Sequence, residues 1–67
     1  MGLTDTETQI EAKILQEIQD LIILRKQKFT QLEMSKKLSV SLKTIQNFEN
    51  YKSYNLKIFI GYKLLLE

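Results

Sequence analysis

The sequence predicts an all-α domain of four helices. Three observations carry that expectation. Apolar residues recur at three- and four-residue steps, the spacing that lines one side of a helix. A Ser, Thr or Asn stands ahead of each such stretch, where its side chain can cap free backbone N–H groups. Proline is absent and glycine occurs only at Gly2 and Gly61, so nothing reads as a linker, a repeat or a low-complexity segment.

The first helix opens on Thr4-x-x-Glu7, a capping box, and runs to about Lys26. Its inner stripe is Ile10, Ile14, Ile18, Leu21 and Ile22, and Leu15, Ile23 and Leu24 widen it beyond what one small core requires. A second capping box, Thr30-x-x-Glu33, opens a helix over Gln31–Leu38 with Met34 and Leu38 inward and the small Ser35 between them. Ser39-Val40 is a short turn. Val40 supplies an apolar plug there. Ser41 caps a third helix from Leu42 to about Asn50, with Ile45 and Phe48 inside. A polar loop, Asn50–Tyr54, leads to Asn55, the cap of a segment Leu56–Leu66. Ile58, Phe59, Ile60 and Tyr62 favour strand, and Gly61 weakens a helix by about 1 kcal/mol relative to alanine. Leu56, Phe59, Ile60, Lys63 and Leu66 nevertheless keep helical spacing, and a lone terminal strand has no partner, so the segment reads as helix.

At 67 residues the chain is one domain, spanning 1–67, with a small core. It has no cysteine and no histidine. That removes disulfides, thiolate and imidazole metal ligands and histidine-based catalysis, so the expectation is no enzyme, no catalytic residue, no metal, no cofactor and no small-molecule substrate. Thr4–Gln9 is polar and acidic, unlike a signal peptide, and the longest apolar run near the start, Leu21–Leu24, is far too short to span a bilayer. A cytoplasmic protein without membrane contact is expected.

The net charge of +2 hides an asymmetry: residues 1–20 carry −4, with Lys13 the one base, and residues 21–67 carry +6. A basic body with an acidic end fits a polyanion on one face. The two short helices joined by a tight turn, about 30–50, have the form of a DNA-reading helix-turn-helix unit. Ser35 permits close helix approach, Ser41 can sit near a phosphate, and Lys43, Thr44, Gln46 and Asn47 present a polar outer face opposite Ile45 and Phe48. Such a helix fits the major groove, where Gln and Asn can read adenine and Lys guanine.

The stretch from Phe29 to Asn50 resembles the core of the xenobiotic-response-element family, which includes lambdoid phage repressors. Thr30-Gln31, Glu33, Lys37-Leu38, Val40-Ser41, Thr44-Ile45 and Glu49-Asn50 fall in register with the family pattern. The resemblance implies a four-helix lambda-repressor-like fold, here with an extended first helix and no fifth helix. It implies that Leu42, Lys43, Gln46 and Asn47 face bases, Leu42 through a thymine methyl alone. It implies that Gln31, Ser41, Thr44, Asn50 and Lys52 contact phosphate, and that Arg25 and Glu49 pair to join the first helix to the third. Ser39 and Tyr51 replace family glycines, and the turn between the first two helices is one residue shorter than usual.

The expected function is sequence-specific binding of double-stranded DNA by a phage-type or mobile-element repressor or autoregulator. A homodimer on an inverted repeat is expected, with the acidic half of the first helix facing away from DNA. Tyr54 and Tyr62 read as core or dimer packing rather than stacking on DNA sugars. The rival is a helical protein-interaction module, an antitoxin or inhibitor, favoured by the surplus apolar residues Leu15, Ile23, Leu32, Ile58 and Leu65. A DNA-binding accessory protein is a third reading.

Overall fold

The described residues form four helices: α1 (Leu3–Lys28), α2 (Gln31–Leu38), α3 (Leu42–Glu49) and α4 (Leu56–Leu66). The computed structural model describes residues 3–67, with side chains from residue 6 onward. No strand occurs among the described residues. α1 is 26 residues long, about 39 Å at the rise of an α-helix, and sets the long axis of a molecule measuring 43 × 20 × 17 Å. Helical turn already includes Leu3, so Thr4 lies within the helix rather than ahead of it, and the Thr4 side chain that the expected Thr4–Glu7 capping box needs lies outside the described side chains. α1 continues two residues past the expected Lys26. Arg25, Lys26 and Lys28 in its last turn complement the negative end of the helix dipole.

α2 begins on the expected capping box: Thr30 Oγ1 accepts from Glu33 N–H at 3.1 Å, and Glu33 Oε1 accepts from Thr30 N–H at 3.0 Å. Those bonds hold the Glu33 carboxyl below its usual range. α2 ends on Ser39 in the left-handed conformation, φ 56° and ψ 44°, with its N–H bonded back to Lys36 O and Ser35 O. Val40 N–H reaches Ser35 O at 2.9 Å, and the Val40 side chain packs against the core. Ser41 then caps α3, accepting from Thr44 N–H at 3.1 Å. α3 stops at Glu49, with Asn50 as its C-cap, and Tyr51 takes a positive φ of 59°. Asn55 Oδ1 accepts from Lys57 N–H and Ile58 N–H and starts α4.

The core is Ile18 and Leu21 of α1, Met34 of α2, Ile45 and Phe48 of α3, and Ile58, Phe59, Tyr62 and Leu66 of α4. Ser35 is buried where α2 meets α3, its hydroxyl donating to Leu32 O at 2.6 Å. Two expectations need correction. Ile10 is 54% exposed, because α1 extends beyond the body at that point and no other helix is there to cover it. In α4 the inner face is Ile58, Phe59, Tyr62 and Leu66, whereas Leu56 and Ile60, which carried the helical spacing read from the sequence, are 60% and 44% exposed. Ile58, counted as surplus from the sequence, is fully buried. Gly61 explains the rotation. Leu38 of α2 sits 2.6 Å from where a Cβ on Gly61 would stand, so α4 turns its one small residue toward the end of α2.

Ser39 is strained where glycine is free. Ser39→Gly is expected to raise stability by up to about 1 kcal/mol, because the relief of left-handed strain exceeds the added entropy of the unfolded chain. Ser39→Val is expected to lower it, since a branched Cβ tolerates positive φ poorly. Urea denaturation of the two variants checks both directions.

Candidate functional site

A helix of eight residues such as α3 is too short to hold itself together in water, so its position comes from its neighbours. The principal anchor is the Glu49 carboxylate, buried at the end of α3. Arg25 of α1 binds it two-fold, Nη2 to Oε1 at 2.6 Å and Nε to Oε2 at 2.9 Å, as the resemblance implies. Tyr62 of α4 donates its hydroxyl to Oε2 at 2.6 Å, and Gln31 of α2 donates from Nε2 to Oε1 at 3.1 Å. The third Arg25 nitrogen, Nη1, reaches Phe29 O at 3.3 Å and so also fixes the connection from α1 to α2. All four helices meet at this one group. Among the described residues no buried side-chain nitrogen or oxygen lacks a partner.

Electrostatics follow from that geometry. Burial works to raise the Glu49 carboxyl, but the hydrogen bonds from Arg25, Tyr62 and Gln31 together outweigh it and hold the group below its usual range. The Glu49 hydrogen bond is the main cause that keeps Arg25 charged despite burial. Burial first, and the bond to Glu49 second, drive Tyr62 far above the usual phenol value.

The predicted site residues fall into three groups. Gln31 and Leu42 are brought together with Arg25, Lys26 and Lys28 around a shallow cleft where the starts of α2 and α3 meet the end of α1. Gln31 is half-buried and tied to Glu49 through one amide hydrogen, leaving the other available. Leu42 is 37% exposed. Ser41 and Thr44 form the second group: their hydroxyls lie 2.8 Å apart at the start of α3, so the two expected phosphate contacts share one hydrogen bond. The third group is Gln46, Asn47, Asn50 and Lys52, laced by backbone bonds from Asn50 N–H to Gln46 O and from Lys52 N–H to Asn47 O, both 2.9 Å. Lys43 stands apart on the outer face of α3, exposed to solvent.

The outer face differs from the expected one in detail. At about 100° per residue, Lys43 and Asn47 lie opposite Ile45, while Gln46 lies about 100° round from it, on the flank rather than opposite. Gln46 and Asn47 are half-buried, whereas Lys43, Asn50 and Lys52 are exposed. Tyr62 is the site residue that sequence reasoning missed; it was read as packing, yet it is a Glu49 partner. A tyrosine expected to pack was the available signal, since a buried phenol needs a polar partner. Lys28 adds a second tie from α1 to α4, donating to Leu66 O at 3.2 Å.

Among the described residues no group of three or more His, Cys, Asp or Glu side chains is placed to hold a metal ion, and no helix is long and apolar enough to cross a membrane. Compared with known proteins, the chain matches no family model, no curated protein and no solved structure.

Loss of the Glu49 charge is expected to destabilise the fold sharply. Glu49→Gln leaves the Arg25 guanidinium buried without its partner and should cost about 3–5 kcal/mol in urea denaturation. Because the folded value of Glu49 lies below its unfolded value, the stability it contributes is present above about pH 4.5 and is lost as pH falls through the folded value. Tyr62 has the opposite sign: its contribution is full below about pH 10 and is lost as pH rises beyond that. Tyr62→Phe should cost about 1.5–3 kcal/mol at neutral pH and flatten the alkaline limb of the stability profile.

Proposed function

We propose that this chain is a lambda-repressor-like helix-turn-helix domain that binds double-stranded DNA in a sequence-specific manner. The observation that carries the reading is the α2–turn–α3 unit itself. Both helices are capped as separate two-turn helices, joined by a left-handed Ser39, and locked to the body through Glu49 with the polar side of α3 turned outward. On this reading α3 enters the major groove, with Lys43 and Asn47 at the base edges, Gln46 reaching from the flank and Leu42 against a thymine methyl. Gln31, Ser41, Thr44, Asn50 and Lys52 then surround that face as phosphate contacts, and the lysines of the basic body supply affinity through counterion release. The acidic half of α1 is turned away from the DNA. Regulation is steric: a bound copy, or a pair on an inverted repeat, occupies a stretch of promoter in the cytoplasm, as a repressor or autoregulator. No chemistry is catalysed.

Mobility-shift titration across operator variants and salt tests this. Alanine at Asn47 or Gln46 is expected to cost about 1–3 kcal/mol on the preferred site and to relax choice at one or two base pairs. Lys52→Ala should weaken all sequences alike and reduce the salt slope by about one. Ile45→Ala and Phe48→Ala should unfold the domain, at about 2–5 kcal/mol. If folded Asn47→Ala and Gln46→Ala keep full affinity and specificity, α3 is not the reading head and the protein-interaction reading takes its place.

A further inference from the structure

Two surfaces of this chain lie outside its own core, one an apolar stripe and the other an acidic helix overhang that exposes Ile10. The first is the outer side of α4. Leu56, Ile60 and Leu64 follow one another at four-residue steps, opposite the buried face, and are 60%, 44% and 79% exposed. Lys57 flanks the stripe on one side and Lys63 on the other. The second is the start of α1. Residues 3–13 precede the first residue of α1 that packs against the core, Ile14, and the described side chains from Thr6 to Lys13 are all exposed. The inward line of α1 nevertheless continues through them as Glu7, Ile10 and Glu11. Where this overhang meets the body, Glu11, Ile14, Leu15, Ile18, Phe48, Tyr51, Ser53 and Tyr54 line an open apolar groove of about 290 Å³.

We propose that a second copy of this chain covers both surfaces: the overhang of each α1 lies across the outer stripe of the other copy's α4. Three features of the two surfaces fit one another. The lengths agree. Residues 3–13 and the eleven residues of α4 each span about 16 Å. The charges are complementary, with Glu7 and Glu11 on the overhang and Lys57 beside the stripe, while Lys63 on the other flank is paired with Glu67 of its own helix at 3.4 Å.

The directions also close. α4 runs alongside α1 in the same sense: its end is held by Lys28, the loop that leads into it lies by Ile14 and Ile18 at Ser53 and Tyr54, and its inner face packs with α1 in the core. Its outer stripe therefore looks the same way as the inward line of the overhang. A two-fold axis across the helices reverses that direction, so each stripe meets the other copy's overhang and the contact is made twice.

This pairing is independent of DNA and is tested without it. Sedimentation velocity should show a concentration-dependent dimer that weakens as salt rises. Leu64→Asp and Ile10→Asp, both at exposed positions, should each raise the dissociation constant by about tenfold or more with an unchanged circular dichroism spectrum. Ile23→Asp, exposed on α1 away from the inward line, should leave it unchanged. Glu11→Lys should weaken the dimer, and adding Lys57→Glu should restore it. The chain has no native cysteine, so introduced thiols give a direct reading of the geometry. Oxidation should cross-link Ile10→Cys chains to Ile60→Cys chains when the two are mixed, and neither variant to itself. A monomer at millimolar concentration would overturn the proposal. So would a dimer that ignores Ile10→Asp, or self-cross-linking of Ile60→Cys alone, which would mean that α4 pairs with α4.

Discussion

The Glu49 carboxylate is the constraint on which the arrangement of helices depends. A buried charge is costly unless it is fully paired, and this one accepts four hydrogen bonds from Arg25, Gln31 and Tyr62, one residue from each of the other three helices. A hydrophobic core of this size, nine buried apolar side chains, brings helices together without specifying their rotation closely. Directional bonds to a single carboxylate do specify it. With no cysteine in the chain, this polar junction takes the place that a cross-link holds in many small domains.

The consequences reach the outer face of α3. Glu49 clamps the end of that helix and Ser41 caps its start, so eight residues with little stability of their own are held rigidly at both ends. The loop that follows folds back: Tyr51 adopts a left-handed turn, and the N–H groups of Lys52 and Ser53 bond to Asn47 O. This loop accounts for the half-burial of Asn47 and places Lys52 beside it. A preorganised polar face loses little entropy on binding a duplex, which suits the proposed role of α3.

The body is also too small to cover all of its own apolar residues. α4 is apolar around most of its circumference, and only one side of it can face the core. α1 is more than twice as long as α4, and its first turns pass beyond the body into solvent. Of the surplus leucine and isoleucine noted in the sequence, Ile58 is buried and Leu24 packs against the core, whereas Leu15, Ile23, Leu32 and Leu65 stay exposed.

The sequence by itself determined the four helices and the starts of α2, α3 and α4, though not the ends of α1. Capping is a local matter of one side chain and two or three N–H groups, so Thr30, Ser41 and Asn55 could be read directly, as could the turn at Ser39. The inner residues Ile45, Phe48 and Met34 were legible for the same reason, since periodicity on a short helix leaves one apolar side. The pairing of Arg25 with Glu49 was legible only through the resemblance of residues 29–50 to a family pattern. Tertiary structure alone decided the rest. The rotation of α4 depends on Leu38 meeting Gly61, a contact 23 residues apart in the chain. The entry of Tyr62 and Gln31 into the Glu49 junction depends on four helix axes converging at one point. Neither leaves a mark in local spacing, because a helical pattern says which residues share a face but not what that face will meet.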